Sequence, residues 1–136
     1  METNMPDFIF PAILHPEPGG AFTATFPDFP EAITSGAEKA DALLQAADCL
    51  QEAIAGRMVR KEGIPSPSRQ RRGQVMVRVA LYLAPKLALY LAMREQRVNN
   101  SQLAHRLGVT ETVVRRMVNP KHDTKPEKLQ EALEAL

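Results

Sequence analysis

Residues 100–119, NSQLAHRLGVTETVVRRMVN, constrain this chain more tightly than any other stretch. Ala104 is small at the point where two helices must cross closely. Gly108 supplies the left-handed backbone that ends one helix and starts a tight turn. Val109 is placed to fill the corner, and Thr110 to cap the next helix. Leu103, Leu107, Val114 and Met117 recur at helical spacing and predict a shared core with the preceding helix. Upstream, Asn99 and Gln102 form a capping pair. These spacings predict a helix-turn-helix.

The side chains left over carry the chemistry. With Val113, Val114 and Met117 turned inward, Thr110, Glu111, Thr112, Arg115, Arg116 and Asn119 project outward. In such a motif the second helix lies in the DNA major groove with its N-terminal residues at base edges. Arg115 and Arg116 can contact guanine bidentately or clamp phosphates, Thr112 can reach a base or a thymine methyl, and Glu111 can accept from cytosine. Gln102 and Lys121, with Lys125, are placed for phosphate contacts. The expected ligand is double-stranded operator DNA. Paired half-sites call for a homodimer or a higher homo-oligomer.

The formal charge of +1 hides an asymmetry: residues 1–54 carry a net −8, and residues 55–136 a net +9. Two partners are suggested, one basic and one polyanionic, the alternative being that the halves neutralise each other within one fold. In the acidic half, residues 8–14 and 21–26 read as strands, the second alternating Phe22, Ala24 and Phe26 with Thr23 and Thr25. The His15-Pro16-Glu17-Pro18-Gly19-Gly20 stretch turns between them. Residues 27–30 are expected to be a loop and 32–34 a short third strand. A helix follows; Ser35 and Glu38 fit a capping box at its start, or the helix begins a turn later. It has an apolar stripe of Leu43, Ala47, Leu50 and Ile54 and an acidic face of Asp41, Gln45, Asp48 and Glu52.

Residues 63–73 read as a Pro/Ser/Arg-rich tether. Val75, Val77 and Val79 form a fourth strand, destined either for the first sheet or for a second subunit. Helical patterns resume at Pro85, and residues 126–136 form a final amphipathic helix that closes the bundle or meets a second subunit.

Residues 10–14 (FPAIL), the Gly19-Gly20 turn, residues 24–30 (ATFPDFP), Thr34-Ser35-Gly36 and residues 63–67 (GIPSP) together resemble HicB-like antitoxins. That resemblance implies an α+β chain. Its partial RNase H-like N-terminal domain, a small antiparallel-dominated sheet with one packed helix, would cover residues 1–68. A basic linker and strand would span 69–83, and an all-α helix-turn-helix domain 84–136. It also implies an antitoxin that blocks a HicA-type ribonuclease toxin and represses its own operon. Asp28, Phe29, Glu31, Asp41, Gln45 and Asp48 are the expected toxin contacts. The chain departs from the family pattern at Glu31-Ala32, where many members have Gly-Cys, and around the start of the helix.

No catalytic residue, metal ligand or cofactor is expected. An RNase H-type nuclease needs several carboxylates converging on two metal ions, and Asp7, Asp28 and Glu31 are too few. His15, His105 and His122 are scattered, without metal-ligand spacing. Cys49 reads as a small buried apolar residue. No signal-like or membrane-spanning segment is expected, which implies a cytoplasmic address. A second class remains open: a transcription regulator whose N-terminal domain senses a small ligand in an apolar pocket.

Overall fold

The alternating phenylalanines build an antiparallel hairpin in the computed structural model, which describes residues 7–136. β1 (Ile9–Pro16) pairs with β2 (Phe22–Phe26), putting Ile13 opposite Thr25 and Pro16 opposite Phe22. β3 (Phe29–Gly36) is longer than the sequence suggests. Residues 27–28 alone make the turn, and a register shift at Thr25/Phe26 brings Phe29 back opposite Phe26. Phe29 and Pro30 therefore belong to a strand and not to a loop. Proline is tolerated here because β3 is an edge strand, where an amide hydrogen can be dispensed with.

α1 (Lys39–Val59) does not open on the Ser35/Glu38 box, because Ser35 is still in β3. Asp41 turns back instead, and its Oδ2 accepts from the Ala37 N–H at 3.1 Å. A Cβ on Gly36 would lie 2.3 Å from the Ala42 backbone nitrogen, so only glycine lets the strand end meet the helix start. This close approach also sets the helix phase. Ala42, Ala46, Leu50 and Ile54 are fully buried, whereas Leu43 and Ala47 are only partly so. The buried stripe is rotated from the expected one, and Leu44 is left 70% exposed.

β4 (Val75–Arg78) joins this sheet beside β1, with Phe10 opposite Val77, giving the order β3-β2-β1-β4. Gln51 of α1 fastens its end: Nε2 donates to the Arg78 carbonyl and Oε1 accepts from the Ala80 N–H. Phe10 meets Phe29 edge-on at 5.0 Å, inside a core closed by Ala24, Phe26, Ala32 and Val77.

The chain divides into a sheet unit, Asp7–Arg57 with Gly63–Ala80, and a helical unit, Met58–Glu62 with Leu81–Leu136. The helical unit holds α2 (Ala84–Gln96), α3 (Asn100–Leu107), α4 (Glu111–Val118) and α5 (Pro126–Glu134). Leu89, Met93, Val98, Leu103, Ala104, Val114, Met117, Leu129 and Ala132 form one core, with Leu133 and Leu136 packed against it. The last helix thus closes its own bundle. Among the described residues, no helix is long and apolar enough to cross a membrane.

Candidate functional site

The α3–α4 pair is built by local backbone chemistry. Asn99 and Gln102 complete a reciprocal capping box: the Gln102 N–H donates to Asn99 Oδ1 at 2.8 Å, and the Asn99 N–H to Gln102 Oε1 at 2.9 Å. At the other end of α3, Gly108 takes φ +68° and ψ +32°. Its N–H donates to the His105 carbonyl, and that of Val109 to the Ala104 carbonyl, which satisfies the helix end. Thr110 stands at the cap position of α4 with extended backbone, but its hydroxyl makes no capping bond. Val109 does not fill the corner; it is 38% exposed.

Burial of Val114 and Met117 turns a polar face outward. Gln102, Thr110, Glu111, Thr112, Arg115, Arg116, Asn119 and Lys121 are all exposed. Glu111 ties part of this face together, accepting from Arg115 at 3.2 Å and from the Ser101 hydroxyl at 3.1 Å. Asn119 Oδ1 accepts from the Lys121 N–H and shapes the exit from α4. The capping box engages only the oxygen of the Gln102 amide. Arg106 donates to the Ala135 carbonyl, fixing α3 to the end of α5.

Sequence reasoning missed the residue that fixes α4. Lys86, in the first turn of α2, is 2% exposed. Its ammonium donates to the carbonyls of Arg116 (3.1 Å) and Met117 (2.9 Å) and to Thr124 Oγ1 (2.9 Å). A cation is thereby set against the negative end of α4. Burial pushes the Lys86 pKa from 10.5 down to about 8, with nearby Asp123 opposing the shift. A helical pattern alone would place a lysine in solvent. Its partner is revealed only when the end of α4 folds onto it.

The six expected toxin contacts do not behave alike. Phe29 is wholly buried and cannot meet a partner, with the Arg57 guanidinium 4.7 Å above its ring. Glu31 is clamped by Arg57, from Nε at 2.6 Å and Nη2 at 2.8 Å. Asp28 accepts from both the backbone N–H and the hydroxyl of Ser68, so the 63–73 tether is anchored. Asp41 is half-buried in its turn with Ala37, whereas Gln45 and Asp48 are exposed on α1. The front acids are not gathered either: Asp7 pairs with Arg78 at 2.8 Å. Among the described residues, no group of three or more His, Cys, Asp or Glu side chains could hold a metal ion. Burial, followed by the Glu31 charge, raises the Cys49 pKa, which keeps its thiol protonated.

A family profile described as HicB_like antitoxin of bacterial toxin-antitoxin system matches residues 9–88. The chain belongs to the HicB-like antitoxin family. Antitoxin HicB 2 of Photorhabdus laumondii is 36% identical over 122 residues, which cover 90% of this chain and 85% of the relative. Antitoxin HicB of Escherichia coli K12 is 33% identical over 127 residues, covering 93% and 92%. Antitoxin HicB of Pseudomonas fluorescens is 28% identical over 124 residues, covering 90% and 84%. This HicB-like antitoxin therefore falls in a class that is not enzymatic. The profile covers the described sheet and the start of α2, while α3, α4 and α5 lie beyond it.

Proposed function

We propose that this HicAB-system antitoxin works with two surfaces. Its sheet unit, a partial RNase H-like domain, binds and neutralises a cognate HicA-type ribonuclease. Its α3–α4 pair is a helix-turn-helix that represses the operon by binding operator DNA as a homodimer or higher homo-oligomer. The observation that carries the DNA reading is the outward face of α4, where Thr112, Arg115 and Arg116 are exposed just beyond the Gly108 turn. Backbone-contacting arginines make such binding steeply salt-dependent.

The toxin-facing surface is narrower than the sequence suggests. Phe29 is buried, and Asp28 and Glu31 already serve Ser68 and Arg57. Gln45 and Asp48, with Asp41 at their edge, are the contacts to test. A cationic nuclease would bury its nucleic-acid surface against such carboxylates.

Two measurements test the two halves separately. The tagged chain should co-purify with the product of an adjacent small reading frame for a basic protein, and suppress its RNA cleavage. Failure to bind that protein removes the antitoxin mechanism proposed for the sheet unit. In a gel shift with the gene's own upstream DNA, the chain should retard the fragment and lose affinity as salt rises. No retardation at low salt removes the repressor half.

A further inference from the structure

We infer that the helical unit carries a binding site for a small organic anion with an apolar body. The site is a cleft of about 270 Å³ lined within that unit by apolar Met58, Met93, Val98 and Val118, by Tyr90 and Asn100, and by the cations Lys61, Arg94 and Arg97. Three cations are among its lining residues, and among the described residues no carboxylate side chain lines it. Tyr90 and Arg94 are held rigidly: the Tyr90 hydroxyl donates to the Glu62 carbonyl at 2.6 Å, and Arg94 Nη1 to the Lys61 carbonyl at 3.0 Å. The Arg94 guanidinium also lies 5.5 Å from the Tyr90 ring centroid. The wall is thus preformed.

The backbone supplies an independent observation. Among the described residues, the two non-glycine positions with positive φ are Lys61 (+58°) and Arg97 (+56°), and both line this cleft. Each ends a helical stretch where glycine would be the unstrained choice, Lys61 N–H bonding to Met58 and Arg97 N–H to Arg94. Strained backbone kept in place of glycine, twice around one cavity, points to a use for the two side chains. Both line a cleft that is otherwise largely apolar, as needed for a carboxylate, sulfonate or phosphate ester joined to a ring or short alkyl group. A DNA phosphate backbone would satisfy the cations but leave the methionine and valine side chains of the cleft unused. The occupant we infer is therefore the amphiphilic small molecule.

The test uses the full chain without DNA, so its outcome is separate from operator or toxin binding. Labelled protein is titrated with 2-naphthoate and, in parallel, with the uncharged 2-naphthamide, while backbone amide shifts are followed. Naphthoate should saturate with a Kd of about 1 mM or tighter, shifting Lys61, Val98, Asn100 and Val118, and naphthamide should bind at least about tenfold more weakly. Lys61→Gly and Arg97→Gly keep the left-handed backbone and remove the charge. Each should lower naphthoate affinity about three- to tenfold without lowering Tm. Equal binding of the two probes, or no saturable shift at these residues, overturns the site. So would Gly variants that bind naphthoate as tightly as the wild type, since the two cations would then have no part in the site.

Discussion

Lys86→Met isolates the contribution of one buried cation to the geometry of α4. Methionine keeps the stem volume and removes the three donors. A hydrogen bond from a charged group is worth about 1.5–3 kcal/mol net, so two helix-end carbonyls losing such a donor sets an upper range of about 3–6 kcal/mol. The Thr124 hydroxyl already points at the Arg116 carbonyl from 3.5 Å and recovers part of this. The expected loss at pH 7 is about 2–3 kcal/mol. Urea unfolding followed by circular dichroism should show a lower midpoint with an unchanged m-value.

The pH dependence sharpens the test. The Lys86 pKa is lowered in the folded state to about 8, against 10.5 for the free side chain. Between those values the unfolded chain binds more protons, so stability rises with pH. The penalty for burying the charge is in full force below pH 8 and is relieved towards pH 10.5. The wild type should gain about 2 kcal/mol between pH 7 and 9.5 relative to Lys86→Met, which cannot titrate there. A loss under about 0.5 kcal/mol at pH 7, or a difference that stays flat to pH 9.5, would refute this account of the lysine.

Gly36→Ala forces a Cβ against the backbone of Asp41 and Ala42, where no flexible side chain can yield. It should cost about 3 kcal/mol or more, read as a large fall in Tm or loss of folded protein. Gly108→Ala meets nothing within 4 Å and suffers only the left-handed backbone, so about 1–2 kcal/mol is expected in the same melt. Arg115→Ala and Arg116→Ala should leave Tm nearly unchanged, yet each should weaken operator binding by about 1–3 kcal/mol in a gel shift. Retained affinity with the wild-type salt dependence would exclude them from the interface.

The sequence was most legible where one local rule dictates the structure. Gly108 is in the left-handed region, and Asn99 with Gln102 makes the capping box, because both depend on residues a turn away. Misreadings arose where tertiary contact overrides local pattern. Pro27 and Pro30 suggested a four-residue loop, but a bulge let β3 begin at Phe29. Leu43 and Ala47 gave a plausible stripe, yet the close approach at Gly36 turned Ala42 and Ala46 inward. Lys86 could not be read at all, since its acceptors lie about thirty residues away. In the candidate interface the outward residues of α4 were legible from the inward ones. The prior commitments of Asp28 and Glu31 were not, because Ser68 and Arg57 are remote in sequence.

The position of β4 bears on the order in which the chain can assemble. The three strands of the first 36 residues pair with sequence neighbours and can zip together as the polypeptide emerges. The fourth must wait for a long helix and a tether before it reaches the far side of β1. Its seal is the Gln51 amide, which needs α1 in place before it can grip Arg78 and Ala80. A nascent chain shorter than 80 residues therefore has an open flank on β1, and the final strand is the step that truncation or slow synthesis would expose.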